Sequence, residues 1–355
     1  MAVYTEVSFD EAAALIARLG IGELSTLTPC VGGIENTNYF ADTHQGRYVL
    51  TLFERLTAHE LPFYLHLMKH LAERGLPVPG PKADASGSIL HQLKGKPAAV
   101  ASRLPGRHSL APSAVQCAQV GRMLARLHLA GRDFEHRQPN LRGLAWWIET
   151  VPLVLPFLSA EQHKLIESEL ALQQQLAATK QHAALPRGPI HADLFRDNVM
   201  FEGDTLTGLF DFYFAGIDTF VFDIAVCLND WCIEQPTGRL DADRAQAFVD
   251  AYDATRPLND DEIDLLPLAL RAAALRFWIS RLWDLHLPRD ATLLQPHDPS
   301  HFERVLRARV AWPGSPWSFT RRPVVATVVA AAAANLNTAA PAASSHALPA
   351  RSVGP

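Results

Sequence analysis

The sequence predicts an α+β protein with two lobes, because the pattern of its secondary structure changes once along the chain. Up to about Leu104, segments with helical spacing alternate with segments of strand character. Helical patterns dominate after that point, apart from a strand-rich insert at about 189–215. We therefore expect a small N-terminal lobe with an antiparallel sheet (1–104) and a larger, mostly helical lobe (105–312), joined by a hinge near Ser102–Gly106. Such a hinge usually leaves a cleft for a ligand.

The elements of the first lobe follow from local signals. Ser8 and Glu11 form a capping-box pattern before an apolar-periodic run that stops at Gly20, which predicts a helix. The alternation in "GRYVLTLFE" and the turn "HQGR" predict a strand hairpin. A helix in "AHELPFYLHLMKHLAERG", an extended connector in "LPVPGP" and two strands in "GSILHQLKGKPAAVASRL" complete the lobe.

The second lobe is predicted from four segments with helical spacing. These are "APSAVQCAQVGRMLARLHLAGRDF", "SAEQHKLIESELALQQQLAATKQHAAL", "ADRAQAFVDAYDA" and "DDEIDLLPLALRAAALRFWISRLWDLHL". The chain then changes character: residues 313–355 are rich in Ala, Pro and Ser without Asp, Glu or Lys, which predicts a disordered tail. The longest apolar run, "PVVATVVAAAAA", is too short to span a bilayer.

Composition narrows the class of protein. The 355 residues are 48% apolar and 19% charged, which is a globular composition with material for a buried core. The formal net charge of −5 gives no reason to expect nucleic acid or an anionic membrane as a partner. The four cysteines have no paired spacing, and the start of the chain is unlike a secretory leader. We expect a reduced, cytoplasmic setting without disulfides or structural zinc.

The residues with the clearest chemistry lie in the strand-rich insert. The string "PIHADLFRDNVMF" places His191, Asp193 and Asn198 in a loop between two apolar strands, and "LTGLFDFYFAG" brings Asp211 to the end of its own run. A hairpin of this kind carries Asp193, Asn198 and Asp211 into one place. Carboxylate and amide oxygens are hard ligands, so the pattern predicts a Mg²⁺ site that substrate phosphates complete.

The spacing of these residues is that of a kinase catalytic loop followed by its metal-binding acid. In such a loop Asp193 accepts the proton of the attacking hydroxyl, while Asn198 and Asp211 hold the metal. A lone H-x-D more often satisfies backbone donors, and a metallohydrolase also uses it, but no second His cluster lies nearby. The full four-point pattern therefore favours phosphoryl transfer.

The chain resembles the small-molecule kinases of the aminoglycoside/choline phosphotransferase type, and most closely their homoserine kinase branch, over about residues 5–310. The strings that carry most of the resemblance are "GGIENTNYF", "HADLFRDNVMF", "DFYFAG", "FDIAVCLNDWC" and "LRFWISRLWD". The resemblance implies a protein-kinase-like two-lobed fold. It also implies transfer of a phosphoryl group from ATP, with Mg²⁺, to a small-molecule hydroxyl, which in this branch is that of L-homoserine in threonine biosynthesis.

The resemblance implies a role for each matching residue. Asp193 is the catalytic base, His191 supports its loop, Asn198 and Asp211 bind Mg²⁺, and Asp223 holds the catalytic loop from a helix start. The nucleotide-binding residues lie in "CVGGIENTNYF" and the strand that follows it: Gly32, Gly33, Asn36, Asn38 and Arg47. The two glycines permit a close approach of the backbone to phosphates, although an ordinary glycine hairpin is the alternative.

One departure from the family lies in the strand "YVLTLFE". The lysine that clamps phosphate in relatives would align with Thr51. Arg47, four residues earlier on the same strand face, is a substitute, although it also fits a solvated edge residue. Glu60 matches the usual partner of that lysine only loosely. The chain has neither D-F-G nor A-P-E, so we do not expect control by phosphorylation of an activation loop.

Homoserine would present an ammonium group, a carboxylate and a primary hydroxyl to its site. Candidates for the ammonium side are Asn229, Asp230 and Trp231, and those for the carboxylate are Arg276 and Arg281. The two arginines are about 140° apart around a helix, so we expect only one to face the cleft. The alternative for each is an ion pair with an acid such as Asp284.

Two other functions remain open from the sequence. Another small-molecule kinase of this fold, acting on an aminoglycoside or choline, would need an acid-rich pocket or an aromatic cage. A non-catalytic nucleotide-binding scaffold is suggested by Thr51 alone, and the intact set of Asp193, Asn198 and Asp211 argues against it. The sequence does not define an oligomeric state.

Overall fold

The computed structural model describes residues 5–30, 36–287 and 297–318. The helices are α1 (Phe9–Leu19), α2 (Pro62–Glu73), α3 (Ala114–Ala130), α4 (Leu144–Val154), α5 (Ala160–Ala177), α6 (Lys180–Ala184), α7 (Phe220–Trp231), α8 (Ala242–Thr255), α9 (Asp260–His286) and α10 (Ser300–Ala311). The strands are β1 (Leu24–Pro29), β2 (Asn36–Thr43), β3 (Gly46–Phe53), β4 (His91–Leu93), β5 (Lys96–Ser102), β6 (Arg187–Ile190), β7 (Val199–Glu202), β8 (Thr205–Leu209) and β9 (Gly216–Thr219).

The order of these elements confirms the predicted α+β class with a small sheet lobe before a helical lobe. Of the predicted tail, residues 319–355 lie outside the described residues. Within the part of the chain that is described, no helix combines the length and the apolar character that a bilayer span requires.

An antiparallel five-stranded sheet forms the first lobe, in the order β1-β2-β3-β5-β4. Successive side chains of a strand point to opposite faces. In β3, Leu50 and Leu52 are fully buried in a cluster with α1, so that Thr51 between them faces the other side of the sheet. The capping box predicted for α1 is present, with Ser8 and Glu11 bonded reciprocally and Gly20 in the left-handed region beyond the last residue.

The helix α7 forms the centre of the second lobe. All of its residues are buried, and it packs against α9, α3 and α8. A helix that is surrounded by protein on every side cannot shift without opening the core, so α7 is a fixed reference for the loops that contact it.

Two short strand pairs bring the chemistry-bearing strings together. The strand β6 pairs with β9, and β7 forms a hairpin with β8. Residues 191–198 therefore connect β6 to β7, while the segment with Asp211 connects β8 to β9. The predicted strands on either side of the H-x-D loop are confirmed, although the partner of the first strand is β9 rather than β7.

Local signals misplaced some helices. The segment "SAEQHKLIESELALQQQLAATKQHAAL" predicts one helix, but α5 ends at Ala177 and α6 begins at Lys180. The break has a local cause, because the Thr179 hydroxyl accepts a hydrogen bond from the His182 backbone N–H and caps a new helix. The helices α4 and α10 were not predicted, and α4 contains Pro152, which weakens its helical signal.

A close approach of α3 and α8 places a chain of buried polar groups next to the loop of residues 191–198. Gly121 permits this approach, because a Cβ atom there would overlap the Phe248 carbonyl. The Tyr252 hydroxyl lies 2.6 Å from His128 Nδ1, and His128 Nε2 lies 3.0 Å from Asp223 Oδ2. A carboxylate only accepts, so Nε2 carries the proton and Nδ1 accepts from Tyr252. Burial lowers the pKa of His128, which favours this neutral form.

We expect Tyr252→Phe to lower the free energy of unfolding by about 1–3 kcal/mol, because the buried Nδ1 of His128 loses its donor. Chemical denaturation monitored by circular dichroism measures the change. Tyr48→Phe is the control, since Tyr48 is also buried and its hydroxyl makes no hydrogen bond among the described residues. Equal stability of the two variants would contradict the assignment of the proton.

The helix α10 packs against α9 and carries His301. Burial lowers the pKa of His301 to about 4, with Arg281 acting in the same direction and Asp230 opposing. Because an unfolded histidine has a pKa of about 6.5, the unfolded chain binds protons that the folded chain does not.

Linkage then fixes the sign of the pH dependence. The depressed pKa of folded His301 means that its contribution to stability is present above about pH 6.5 and is lost as the pH falls towards about 4. We expect the melting temperature to fall over this window, and to fall less steeply for His301→Gln, which does not titrate. Identical slopes for the two proteins in scanning calorimetry would rule out this contribution.

Candidate active site

The catalytic-type loop, residues 191–198, is fixed at its start by one buried carboxylate. Asp223, on the first turn of α7, accepts hydrogen bonds from the backbone N–H groups of His191 (2.9 Å) and Ala192 (2.8 Å). Burial alone would raise the pKa of Asp223, but the hydrogen bond from His128 and the donors of the loop hold it below its usual value. Asp223 is therefore an ionised anchor, as expected from the sequence.

His191 ties this loop to the next one. Its ring Nε2 lies 3.0 Å from the Phe210 carbonyl, and its Nδ1 accepts from the Asp193 backbone N–H at 3.3 Å. The ring is fully buried, which lowers its pKa and keeps it neutral. His191 is thus a positioning residue, and Phe210, which it holds, directly precedes Asp211.

Asn198 closes the same link from the other end of the loop. Its side-chain Nδ2 donates to the backbone carbonyl of Asp193 at 2.8 Å, and its backbone carbonyl accepts from the Phe210 backbone N–H at 3.1 Å. Since Nδ2 is engaged, Oδ1 is the side-chain atom that can coordinate a cation. Asp193, Asn198 and Asp211 are in this way brought to one place, as the spacing predicts.

Two residues at the site have left-handed backbone conformations without being glycine. Ala192 has φ 63° and Asp211 has φ 64°. This region costs an L-residue about 1–2 kcal/mol, and such strain persists where the surroundings enforce it, commonly at functional sites. For Ala192 the enforcing contact is its hydrogen bond to Asp223.

Asp193 lies in a largely enclosed position, with 16% of its side chain exposed. Burial raises its pKa well above the usual value, Arg276 lowers it, and Asp211 raises it again. Its Oδ1 lies 3.8 Å from Nη1 of Arg276. A desolvated carboxylate with a raised pKa is a suitable proton acceptor.

The donor set fits magnesium. Asn198 and Asp211 would supply an amide oxygen and a carboxylate oxygen, and Asp193 would place a second carboxylate beside them. Mg²⁺ prefers such hard oxygens and usually completes its shell with water and substrate phosphates.

The residues predicted to bind the nucleotide belong to the face of the sheet that carries Thr51. Gly32 and Gly33 lie outside the described residues, and Asn36 is the first residue of β2. Asn38 is paired in register with Thr51, and its Oδ1 accepts a hydrogen bond from the Thr51 hydroxyl at 2.7 Å. Where relatives have a lysine, this chain therefore has a neutral hydrogen-bonded pair, Thr51 and Asn38, which joins two strands.

Neither Arg47, the expected substitute for the lysine, nor Glu60, the residue loosely matched to the partner of that lysine, is bonded to Thr51. Arg47 is exposed near the start of β3. Glu60 accepts hydrogen bonds from the Thr57 backbone N–H and hydroxyl, which caps the turn before α2. The loose match of Glu60 to the partner of a strand lysine is therefore wrong, because its carboxylate serves this turn.

Arg103, which follows β5 in the hinge, also lies against the face of the sheet that carries Thr51, although the sequence did not single it out. Its guanidinium lies 3.8 Å from the centre of the Phe40 ring. Phe40 is two residues beyond Asn38 on β2 and so shares its face of the sheet. The signal for Arg103 was its position in the predicted hinge.

The residues expected to bind the substrate ammonium group support the loop or the core instead. Asp230 accepts from the Arg196 backbone N–H at 2.8 Å and from Nε and Nη2 of its guanidinium at 3.0 Å each. Trp231 is fully buried and donates from Nε1 to the Leu194 carbonyl at 2.9 Å. The prediction for Asp230 and Trp231 is corrected, because these groups are satisfied by the loop.

The prediction that Asn229 binds the ammonium group is corrected for a similar reason. Asn229 is fully buried, its Nδ2 donates to the Leu270 carbonyl at 2.7 Å, and its Oδ1 accepts from Arg309 Nε at 2.9 Å. Both ends of its amide are therefore used inside the helical lobe.

The two candidate arginines of α9 differ in environment. Arg276 is 2% exposed and faces Asp193, with its guanidinium 3.7 Å from the Phe277 ring centre. Burial lowers the pKa of Arg276 to about 10 against the opposing effect of Asp193, so it remains cationic at neutral pH. Arg281 lies over Phe302 at 4.4 Å and donates to a backbone carbonyl, that of Asp298, at 3.4 Å.

The sequence is similar to known phosphotransferases over most of its length. The model of the phosphotransferase enzyme family matches residues 26–258. The homoserine kinase of Polaromonas naphthalenivorans (strain CJ2) is 66% identical over 313 residues, which are 88% of this chain and 99% of that protein. That of Ralstonia nicotianae (strain ATCC BAA-1114 / GMI1000) is 54% identical over 320 residues, 87% of this chain and 96% of that protein.

Solved structures of distant kinases share the fold. An amicoumacin kinase in complex with AMP-PNP and Ca²⁺ matches with a TM-score of 0.64 at 17% identity, over 88% of this chain and 97% of the other. A choline kinase from Streptococcus pneumoniae matches with a TM-score of 0.59 at 13% identity, over 86% and 100%. These likenesses confirm the protein-kinase-like fold. The chain belongs to the phosphotransferase enzyme family and, within it, to the homoserine kinases.

Proposed function

We propose that this protein transfers the γ-phosphoryl group of Mg²⁺-bound ATP to the side-chain hydroxyl of L-homoserine, giving O-phospho-L-homoserine in threonine biosynthesis. The observation that carries the proposal is the convergence of Asp193, Asn198 and Asp211 on one rigid loop system. The substrate is proposed from relatives named homoserine kinase that span almost the whole chain.

The chemistry needs a proton acceptor beside the attacking oxygen. In the proposed step the hydroxyl oxygen bonds to the γ-phosphorus, the bond from that phosphorus to the bridging oxygen breaks, and ADP leaves with the electron pair. Asp193 takes the hydroxyl proton, for which its enclosed position and raised pKa suit it. Asn198 and Asp211 would hold Mg²⁺, which when bound neutralises charge on the phosphates.

The nucleotide is proposed to lie against the sheet face that carries Asn36, Asn38 and Thr51. Its other proposed contacts are the backbone at Gly32 and Gly33 and the cation of Arg47. We add Arg103, since its guanidinium lies on the same face. The proposed setting is cytoplasmic, with a small molecule as the substrate and no nucleic acid or membrane partner.

The competing functions differ in what they require. An aminoglycoside kinase needs several acids in its acceptor pocket, whereas Arg276 places a buried cation beside Asp193. That cation would repel polycationic aminoglycosides and choline and attract a substrate with a carboxylate. A scaffold without activity has no use for Asp193, Asn198 and Asp211 together.

The proposed substrate is tested by measuring ADP release with Mg²⁺-ATP and L-homoserine, choline, kanamycin or methylthioribose. We expect turnover with L-homoserine, a phosphorus NMR signal for the O-phosphorylated product, and loss of turnover when EDTA removes the metal. Turnover of another alcohol in place of homoserine would reject the substrate, and turnover of none would favour the scaffold.

The role of Asp193 is tested by Asp193→Asn. We expect the turnover number to fall by about 10²–10⁴-fold, the usual contribution of a positioned base, with Mg²⁺-ATP affinity nearly unchanged in calorimetric titration. Asp197→Asn is the matched control, because Asp197 is an exposed acid of the same loop. A large loss of ATP affinity in Asp193→Asn would instead place this carboxylate in metal binding.

A further inference from the structure

Arg276 has hydrogen-bonding groups that the described protein does not use. Its Nε and Nη2 atoms are buried and make no hydrogen bond among the described residues. Its Nη1 is directed to Asp193 at 3.8 Å. Folded proteins seldom leave buried polar groups unpaired, least of all those of a charged side chain. Among the described arginines, Arg256 and Arg309 each have one such buried nitrogen, whereas Arg276 has two, which makes it the strongest candidate for a ligand contact.

The unused atoms form one recognition edge. The N–H bonds of Nε and Nη2 are parallel, and their spacing matches the two oxygens of a carboxylate. The protein itself uses this edge for carboxylates elsewhere. Nε and Nη2 of Arg196 hold the two oxygens of Asp230, and those of Arg271 hold the two oxygens of Glu169. In Arg276 the two atoms of this edge make no hydrogen bond to any part of the chain that the structure describes.

The guanidinium that carries this edge lies beside the catalytic loop. Nη1 of Arg276 lies 3.8 Å from Oδ1 of Asp193, on the catalytic loop, and the guanidinium is 5.1 Å from the centre of the Phe214 ring. Phe214 follows Asp211 by three residues. The Phe277 ring covers the guanidinium at 3.7 Å and keeps it in place. An acceptor alcohol that gives its proton to Asp193 must bind beside this group.

We propose that Nε and Nη2 of Arg276 bind the carboxylate of the acceptor, and that Arg276 is the residue by which the enzyme selects a hydroxy amino acid over a simple amino alcohol. The inference rests on the proposed function and deepens it. In homoserine a short carbon chain joins the carboxylate to the hydroxyl, so one molecule reaches both Arg276 and Asp193. Arg281, five residues later, is held by Phe302 and Asp298 and does not make this contact.

The test compares two acceptors, L-homoserine and 3-amino-1-propanol, which lacks only the carboxylate. We expect the wild-type enzyme to prefer homoserine in kcat/KM by at least roughly 10²-fold, because the analogue leaves a buried charged fork unpaired. In Arg276→Gln this preference should fall towards unity, through a rise in the KM for homoserine, with the KM for ATP unchanged. Arg276→Lys keeps the charge beside Asp193 but lacks the fork, and should lose most of the preference while retaining the fold.

Arg281→Gln is the matched variant on the same helix and should keep the preference, whatever its effect on rate. The proposal is overturned if Arg276→Gln or Arg276→Lys slows both acceptors by the same factor, which would place Arg276 on the phosphoryl group, or if Arg281→Gln is the variant that loses the preference. A wild-type enzyme that phosphorylates an alcohol other than homoserine would instead reject the proposed function itself.

Discussion

One buried carboxylate determines the geometry of the site. Asp223 accepts two successive backbone N–H groups of the catalytic loop, and this forces Ala192 into a conformation that an alanine otherwise avoids. The same carboxylate accepts a hydrogen bond from His128 Nε2, and the Tyr252 hydroxyl donates to the other ring nitrogen of His128. The conformation of the loop is therefore determined from within the helical lobe, which is the condition for precise placement of a reacting group.

Two acidic side chains of α7 hold the loop near its two ends. Asp223 binds its start, and Asp230, two helical turns or about 10 Å later, binds Arg196 near its end. Since α7 is buried along its whole length, the distance between these supports cannot change. The helix thus serves as a rigid spacer for the loop, and Trp231 adds a third contact through the Leu194 carbonyl.

Sequence patterns were sufficient to predict those features of the structure that depend on neighbouring residues in the chain. The loop with Asp193 and Asn198, its flanking strands and the cap at Ser8 all depend on short-range spacing. The role of Asp230 was not predictable in this way. It depends on which side of α7 meets the loop, and a helix buried all round has no apolar stripe to reveal its orientation. The break at Thr179 was missed because a single capping hydroxyl outweighed the continuing helical pattern.

The pairing of Thr51 with Asn38 also has a chemical consequence. In kinases that have a lysine on this strand, its amine is a nucleophile next to the bound nucleotide. A threonine hydroxyl bonded to an amide is far less nucleophilic, so acylating nucleotide analogues that mark such lysines would find no amine at this position. The same pair would give this enzyme an intrinsic resistance to inhibitors whose selectivity depends on that covalent bond.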